Sequence, residues 1–370
     1  MKKFLCVILS LVTVFSLVAC SKNVQPENSE ASTTTETTTE STTEDLTAKK
    51  LAMARGKEEG LFYSPLVAVP DYYFKPTGTG NDTEKLTYKY NGITKSCIVY
   101  IPPGYDEKKQ YNVYYLLGGA MASEEAFFNG AGEGSTLQNM FDHMIENGEV
   151  EPFIAVNVNF FYHHDHNEDL DNGKVVETVD TFCDELRTTI VPEVESKYST
   201  FAESTDEIDL IASRKHRCFG GFSLGSSVSL LTLTRNLDYF YYYAPLYGAD
   251  FRTYYPDYFD TSVADDLAVE LEKLDYTTDD YFIFATEGEN DNTFADMNPV
   301  MTDLLDNHSD LFIRTDSDKS AGNISYKVLP GWEAQHRYLH AYRYFYNSLI
   351  AFWGSELRED YTTEVTLVKD

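Results

Sequence analysis

The segment from Arg217 to Ser227, RCFGGFSLGSS, combines residue types and a spacing suited to covalent chemistry. It contains Gly221-x-Ser223-x-Gly225, a pattern typical of a serine nucleophile on a sharp turn between a strand and a helix. Side chains two residues before and after this serine would collide in such a turn, so glycine is expected at both positions. The predicted chemistry is nucleophilic attack by the serine hydroxyl. A Gly/Ser-rich turn that merely enters a helix is the alternative interpretation.

Two further side chains complete a possible set of nucleophile, base and acid. Asp291 follows the apolar segment 281–286, and His336 follows the apolar segment 324–329. The order Ser223, Asp291, His336 is that of α/β enzymes in which a carboxylate orients the histidine that activates the serine. All three come just after a predicted strand, at the sheet edge where open α/β sheets bind ligands. Alone, Asp291 could be a loop residue and His336 a helix cap, but their joint order favours a catalytic set.

The elements that must position these residues alternate along the chain, as continuous apolar runs predict parallel strands and amphipathic segments predict helices. The expected strands are 111–117, 153–160, 218–222, 240–246, 281–286 and 324–329, and the expected helices are 133–148, 178–198, 224–236 and 336–352. Pro192 predicts a kink or a break in its helix. Residues 85–99 alternate between apolar and polar, which predicts antiparallel strands. The pattern as a whole predicts an α/β fold with a mostly parallel sheet and helices on both faces.

The N-terminal part of the chain differs from the rest. Residues 1–19 have a basic start and a short apolar run, as in a signal peptide, and end directly before Cys20. This arrangement resembles the cleavage site of bacterial lipoproteins, so we expect lipid on Cys20 and a location on the extracellular face of the cell membrane; an ordinary secretory signal is the alternative. Residues 20–48 are rich in Ser, Thr and Glu, which predicts a disordered tether. Residues 49–370 are expected to form a single domain.

The composition restricts the possible partners. The 370 residues carry a formal net charge of -31, which argues against binding to nucleic acid or to an anionic surface. A neutral polymer or a small ester suits such a chain better. The 28 tyrosines include a cluster at 239–243 and could stack on sugar or aryl rings, but most are expected at the rim of the core.

Neither a metal nor a cofactor is expected. Cys97, Cys183 and Cys218 are too few and too widely spaced for a disulfide framework or a metal site, so we expect small buried side chains. The run His163-His164-Asp165-His166 contains possible metal ligands, yet adjacent residues seldom converge on one ion. A solvated loop is the favoured interpretation of this run, and a place in the wall of a substrate cleft is a further one.

Further motifs resemble the esterase D-like α/β-hydrolases, most closely the family-one carbohydrate esterases, which include feruloyl and acetyl xylan esterases. They spread over most of the folded region: VYIPPGY at 99–105, YYLLGG at 114–119, IVPEVESKY at 190–198, RKHR at 214–217, GEND at 288–291 and the segment 331–336. The resemblance implies the α/β-hydrolase fold and a two-step acyl transfer without a cofactor. It also implies that the amide of Leu224, with an amide from Gly119 or Ala120, stabilises the oxyanion.

The chain departs from this family in three places. Gly118 replaces the histidine that usually precedes the glycine near the oxyanion hole. The segment from 331 to His336 is longer than the family's Gly-Gly-His, which makes His340 the alternative base. Residues 200–213 resemble an insertion without an evident purpose.

Three functions follow as expectations. The leading one is a membrane-tethered extracellular esterase that acts on feruloyl or acetyl esters of plant polysaccharide such as xylan, with the esterified polysaccharide or oligosaccharide as its partner. The second is another enzyme on this scaffold, namely a siderophore esterase, a thioesterase or an acyltransferase, although an exported location disfavours the cytosolic thioesterase substrate. The third is a lipoprotein that binds its ligand without catalysis.

Overall fold

The computed structural model describes residues 66, 69–78, 82–163, 166–171, 174–315, 322–329 and 335–354. Its strands are β1 (Thr83–Tyr90), β2 (Ile93–Tyr100), β3 (Asn112–Leu117), β4 (Phe153–Val158), β5 (Arg217–Phe222), β6 (Tyr242–Leu246), β7 (Phe282–Gly288) and β8 (Ile324–Leu329). Its helices are α1 (Thr136–Glu146), α2 (His166–Leu170), α3 (Val175–Glu185), α4 (Val191–Lys197), α5 (Glu207–Ala212), α6 (Leu224–Arg235), α7 (Phe251–Tyr254), α8 (Val263–Leu274), α9 (Phe294–Asn307) and α10 (Tyr338–Trp353). Short 3-10 turns lie at Asp71–Phe74 and Arg214–His216, and a π-helical turn at Leu186–Ile190. The predicted signal peptide 1–19, the lipidation site Cys20 and the tether 20–48 lie outside the described residues.

The described strands form one sheet in the order β1-β2-β4-β3-β5-β6-β7-β8. The pairs β1/β2 and β2/β4 are antiparallel, and the five pairs from β4/β3 to β7/β8 are parallel. The sheet is therefore mostly parallel with an antiparallel edge, as the alternating residues 85–99 predict. Because the parallel strands share one direction, β5, β7 and β8 end at the same edge of the sheet.

Side chains on the two faces of the sheet enter two separate cores. Along β3, Tyr115 and Leu117 belong to one core, whereas Tyr114 and Leu116 belong to the other. Helices α3, α6, α8 and α9 cover the first core, and α1 and α10 cover the second. All six residues of β3 are buried, as expected of a strand that is covered on both sides. The prediction of an α/β fold with helices on both faces is confirmed.

The α-helix predicted for 178–198 is interrupted directly before Pro192 by a π-helical turn. Helix α3, the π-helical turn and α4 follow one another directly, and the proline lies at the start of α4. The Val191 N–H donates to the carbonyl of Leu186, five residues earlier. This wider turn precedes the residue that lacks an N–H, so the helical path continues past it.

The insertion 200–213 packs beneath the amino end of β5. It contains α5, and its backbone and side chains accept hydrogen bonds from Arg217, which is buried at the start of that strand. The guanidinium donates to the Leu210 carbonyl and, at 2.5 Å, to Ser213 Oγ. The ring of Phe201 stacks on that of His216, with 3.5 Å between the ring centroids. The insertion therefore completes the packing of a buried charge.

Two predictions about burial had different outcomes. The three cysteines outside the N-terminal region are free and buried, as expected, and burial raises the pKa of each thiol. The tyrosines of the 239–243 cluster were expected at the rim of the core, but all four are buried. Tyr243 is fully enclosed, and its hydroxyl donates to the Phe240 carbonyl at 3.1 Å.

Within the described residues, no helix is both long and apolar enough to cross a bilayer.

Candidate active site

Ser223 occupies the turn between β5 and α6 in a strained backbone conformation, with φ of 60° and ψ of -114°. Its N–H donates to the carbonyl of Leu246 at 3.1 Å, which holds the turn against β6. A Cβ atom added to Gly221 or Gly225 would lie only 2.2 Å or 2.1 Å from the carbonyl oxygen of Leu117. Both positions therefore require glycine, because the end of β3 passes directly beside the turn. The sequence pattern predicts a collision within the turn, and a Cβ atom on Gly221 would lie 2.8 Å from the Cα of Gly225, but the shortest contact at both positions is with β3.

The three side chains predicted to act together form a hydrogen-bonded chain. His336 Nε2 lies 2.9 Å from Ser223 Oγ, and His336 Nδ1 lies 2.8 Å from Asp291 Oδ2. The Asp291 carboxylate is fully buried and also accepts hydrogen bonds from the N–H and the hydroxyl of Thr293, at 2.7 and 2.6 Å. A carboxylate at Nδ1 keeps the proton on that nitrogen, which leaves the Nε2 lone pair facing the serine hydroxyl. This arrangement can remove the serine proton.

The structure also decides between the two candidate histidines. His336 lies before α10, since the helix begins at Tyr338, two residues later than predicted. The ring of His336 packs on Phe222, with 4.6 Å between the ring centroids. His340 lies in the first turn of the helix, where its Nδ1 is 3.0 Å from the amide nitrogen of Gln335. His340 therefore supports the loop that presents His336 and does not contact the serine.

The first turn of α6 begins directly after Ser223. Leu224 opens this helix, and the N–H groups of a first helical turn have no acceptor within the helix. The next amide, of Gly225, donates to the carbonyl of Gly118 at 3.1 Å. This bond holds the glycine turn after β3 against the turn that carries Ser223. The amide of Leu224 thus lies where an oxyanion could bind.

The other two predicted oxyanion donors have different surroundings. The Gly119 N–H donates to the Tyr338 hydroxyl at 3.0 Å, so this amide already has an acceptor. Ala120 is exposed and lines the same cavity as Ser223. Sequence reasoning missed Tyr338, since tyrosine is common in this chain and nothing in the sequence places residue 338 beside residue 119.

The absence of a side chain at Gly118 has a steric explanation. A Cβ atom built there would lie 2.8 Å from the Cβ of Ala122 and 2.9 Å from the Cβ of Ala126. It would also lie 3.4 Å from the hydroxyl oxygen of Tyr338. A histidine at this position does not fit the turn that this chain forms.

A cavity of about 220 Å³ opens at the serine. Its walls are mainly apolar and aromatic, and they come from segments distant in sequence: Ala120, Leu170, Leu224, Ser227, Gly248, Phe251, Tyr254 and Tyr255. The rings of Phe251 and Tyr255 stack, with 5.9 Å between their centroids, and the Tyr255 hydroxyl donates to the Leu170 carbonyl at 3.2 Å. A wall of this kind suits a flat, partly apolar group. The sequence did not reveal it, because α2 and α7 meet only in the folded chain.

One buried acid lies close to this hydrogen-bonded chain. Glu287, at the end of β7, is fully buried, and its Oε1 accepts the N–H of Gly288 at 3.0 Å. Burial, followed by the charge of Asp291, raises the pKa of Glu287 to about 8. No cationic side chain in the described part of the chain pairs with it. Glu287 is therefore largely protonated at neutral pH and adds little negative charge behind Asp291.

The histidine run 163–166 is only partly described. His163 Nδ1 lies 2.6 Å from Asp169 Oδ1, while His164 and Asp165 and the side chain of His166 lie outside the described residues. Across the residues that the structure does describe, no group of three or more His, Cys, Asp or Glu side chains is arranged to hold a metal ion. The expectation that the run binds no metal stays a prediction.

With the geometry established, the chain can be compared with known proteins. Residues 94–352 match the model of the family described as "Putative esterase". The chain belongs to this esterase family. It thereby belongs to the carboxylic ester hydrolases. The match includes β2 through α10 and thus all of the residues that form the site.

Two individual proteins are similar to this esterase in sequence or in structure. Endo-1,4-beta-xylanase Y of Acetivibrio thermocellus is 35% identical over 297 residues, which are 80% of this chain and 25% of that protein. The esterase therefore spans about a quarter of the length of this relative. A solved serine-to-alanine mutant of the feruloyl esterase module from Clostridium thermocellum, complexed with sinapinate, is 34% identical. The match has a TM-score of 0.67 and covers 80% of the esterase and 95% of that chain.

More distant structures share the fold alone. A ferulic acid esterase from Anaeromyces mucronatus is 19% identical with a TM-score of 0.54, over 76% of this chain and 94% of that one. An enterobactin esterase from Shigella flexneri is 11% identical, with a TM-score of 0.52. The match covers 78% of this chain and 63% of that chain. These similarities agree with the predicted α/β-hydrolase architecture of the esterase.

Proposed function

We propose that this esterase hydrolyses feruloyl or acetyl esters of plant cell-wall polysaccharide, such as xylan, and that feruloyl esters are its preferred substrates. One observation carries the proposal: the hydrogen-bonded chain from Asp291 through His336 to Ser223 opens into a cavity with aromatic walls. The first feature supports ester hydrolysis through a covalent serine ester. The second supports an aromatic acyl group.

In the proposed mechanism, Ser223 Oγ attacks the ester carbonyl carbon while His336 Nε2 takes the hydroxyl proton. The carbonyl oxygen becomes negatively charged and is stabilised by the Leu224 N–H. Of the two expected second donors, the Ala120 amide takes this role, because the Gly119 N–H donates to the Tyr338 hydroxyl. When the tetrahedral intermediate collapses, His336 gives the proton to the departing sugar oxygen. Water then attacks the acyl-enzyme by the same route, releases the acid and restores the serine.

Asp291 serves the histidine in both half-reactions. Its buried carboxylate keeps the proton on Nδ1 of His336 and stabilises the imidazolium that forms when Nε2 takes the serine proton. The two hydrogen bonds from Thr293 hold the carboxylate in the orientation that this role needs. The buried Glu287, largely protonated because its pKa is raised to about 8, adds little competing charge at neutral pH.

The acyl preference is proposed from the size and lining of the cavity. An acetyl group would fill only a small part of about 220 Å³, whereas a feruloyl group brings a planar ring that can pack against Phe251 and Tyr255. The solved feruloyl esterase module, with which this esterase shares 34% identity, is complexed with sinapinate, which is likewise an aromatic acid. Both points support a feruloyl ester as substrate.

We further propose that the enzyme acts outside the cell, held by lipid on Cys20 at the extracellular face of a bacterial membrane and extended on the tether 20–48. A polymeric substrate does not cross a membrane, so its hydrolysis requires an exported enzyme. The net charge of -31 suits a neutral polysaccharide partner better than nucleic acid. Labelling of the expressed full chain with a radioactive fatty acid tests the anchor.

The test of function compares the full-length protein with its Ser223→Ala variant on methyl ferulate, acetylated xylan and a small activated acetate. We expect kcat/KM to be highest for methyl ferulate. We expect the variant to lose on the order of 10⁵-fold or more in kcat, because the nucleophile is removed. Its melting temperature should stay unchanged, and a fluorophosphonate should label only the wild-type protein.

Other results would redirect the proposal. Preference for acetylated xylan would replace the feruloyl assignment by an acetyl one. Full turnover by a folded Ser223→Ala variant would exclude this serine as the nucleophile. Fluorophosphonate labelling without turnover on any of the three esters would indicate an active serine with a different substrate.

A further inference from the structure

Tyr338 is the first residue of α10, and its side chain reaches the turn that follows β3. The hydroxyl oxygen accepts the Gly119 N–H at 3.0 Å. The ring packs against Phe222 and Phe127, with centroid distances of 4.7 and 5.4 Å. Because two aromatic neighbours and a backbone hydrogen bond hold it, the hydroxyl has a defined position.

That position is beside the reactive serine. A Cβ atom built on Gly119 would lie 3.3 Å from the Cβ of Ser223 and 3.3 Å from the hydroxyl oxygen of Tyr338. The serine and the phenol therefore approach the same glycine, and the ring of Phe222 lies beside them, 3.7 Å from the same point. The Gly225 N–H donates to the carbonyl of Gly118 at 3.1 Å, so the turn that holds the phenol also lies against the start of α6.

The hydrogen bond between Gly119 and Tyr338 determines which donor is available. An N–H that donates to a phenol oxygen is not directed at the substrate, but the phenol keeps its own O–H for a further hydrogen bond. Accepting a hydrogen bond polarises a phenol and makes its O–H a stronger donor. Burial raises the pKa of Tyr338, so its hydroxyl keeps the proton in neutral and mildly alkaline solution.

We propose that Tyr338 is a catalytic residue of this esterase, whose hydroxyl donates a hydrogen bond to the oxyanion of the tetrahedral intermediate while it accepts one from Gly119. The phenol keeps its proton throughout, and no bond to it forms or breaks. The inference rests on the proposed serine mechanism and adds a side-chain donor to the Leu224 amide.

The same geometry explains the glycine at position 118. A Cβ atom there would lie 3.4 Å from the Tyr338 hydroxyl oxygen and within 3 Å of two alanine methyl groups. A larger side chain at 118 and the phenol at 338 would therefore compete for one space. In this chain the phenol of Tyr338 occupies that space.

The test is Tyr338→Phe, with Tyr342→Phe as the matched control on the next turn of α10. Tyr342 packs on Phe74, with 6.0 Å between the ring centroids, and takes no part in the proposed mechanism. For Tyr338→Phe we expect kcat on methyl ferulate to fall about 10- to 100-fold, with KM within about threefold of wild type. The loss is smaller than the roughly 10²- to 10³-fold known for removal of one oxyanion donor, because the released Gly119 amide replaces part of the interaction. The control should stay within about twofold.

A second measurement separates catalysis from packing. Replacement of Tyr338 by a ring-fluorinated tyrosine keeps the ring and its contacts but makes the phenol more acidic. The alkaline fall of kcat/KM should then move to lower pH, because the donor loses its proton earlier. A residue that only fills space would leave the pH profile unchanged.

The possible outcomes are distinct. A folded Tyr338→Phe variant with wild-type kcat, or with a higher kcat because the hydroxyl obstructs the site, overturns this inference and leaves the serine mechanism intact. An equal loss in both phenylalanine variants, with an unmoved pH profile, assigns the tyrosine to packing and also overturns it. Failure of the wild-type protein to hydrolyse any ester, or full activity in Ser223→Ala, overturns the proposed function and this inference together.

Discussion

The polar groups at the two ends of strand β5 differ in how completely they are hydrogen-bonded. At its amino end, Arg217 is 1% exposed and donates to both carboxylate oxygens of Glu195, to Ser213 Oγ and to the carbonyls of Leu210 and Tyr239. The partner carboxylate is further saturated by the hydroxyls of a tyrosine and a threonine. This end has a buried ion pair with its hydrogen bonds complete, and nothing there remains for a ligand.

At the carboxyl end of the same strand, the polar groups are incompletely satisfied. Ser223 has a positive φ, and the amide of Leu224, the first residue of α6, has no acceptor within that helix. At the same edge of the sheet, near the end of β7, Glu287 is buried without a cationic partner among the described residues. Stabilising and functional polar groups of one sheet can therefore be distinguished by their hydrogen bonding. Complete hydrogen bonding favours a role in stability, whereas strained or unpaired groups that face a cavity favour a role in binding and catalysis.

The largest effect expected from this comparison is on activity at the carboxyl end. His336→Ala should lower kcat by roughly 10⁵- to 10⁶-fold, because the serine loses its base, while the melting temperature changes little. His340→Ala should keep kcat within about tenfold, since its ring only supports the loop before α10. Steady-state kinetics on methyl ferulate, together with thermal melts, measure both. Equal losses in the two variants would break the assignment of His336 as the base.

The next effect is on stability at the amino end. Arg217→Met should reduce the free energy of unfolding by about 3–5 kcal/mol, because Glu195 is left buried and without its cation. The folded variant should keep kcat within about threefold. Arg235→Met, which removes a partly exposed pair with Asp180, is the matched control and should cost about 0–1 kcal/mol.

Urea unfolding of the two arginine variants measures this contrast. Adding Glu195→Gln to Arg217→Met should recover part of the loss, because the unpaired charge is removed, and the double-mutant cycle gives the coupling energy. A loss of activity without loss of stability in Arg217→Met would mean that the amino end also serves the reaction.

The smallest effect concerns the pH dependence of stability. Because the pKa of Glu287 is raised in the folded protein from near 4.5 to about 8, its contribution to stability is fully present below pH 4.5 and is lost as the pH rises through 8. Glu287→Gln keeps a neutral side chain at every pH. Its unfolding free energy relative to wild type should therefore grow between pH 5 and 9, by on the order of a few kcal/mol at most.

Denaturant melts at several pH values, with the exposed Glu193→Gln as the baseline, measure this difference. A difference between Glu287→Gln and wild type that stays constant from pH 5 to 9 would show that Glu287 ionises as readily in the folded as in the unfolded chain. The lack of a cationic partner would then not distinguish the ionisation of Glu287 from that of Glu195, which is paired with Arg217.

Much of the fold could be predicted from the sequence because its signals are local. Apolar runs located the strands from β3 to β8 to within about two residues at most ends, and β-α alternation indicated a mostly parallel sheet. The irregularity predicted at Pro192 is a wide π-helical turn directly before it, after which the helical path continues. The tyrosines at 239–243 were placed too near the surface, because residue type alone does not report how many layers cover a strand.

In the candidate site, too, the local features were predictable from the sequence and the long-range contacts were not. Ser223 and its two glycines were predictable because the motif is contiguous, and so was the order of serine, acid and histidine along successive strands. The contact that demands both glycines, with the Leu117 carbonyl, is visible only in the fold. Only the tertiary structure decided that His336 rather than His340 meets the serine, that Tyr338 takes the Gly119 amide, and that distant helices line the cavity. These contacts join segments up to about two hundred residues apart, and they depend on how helices dock on the sheet. No periodicity or spacing along the chain encodes that docking.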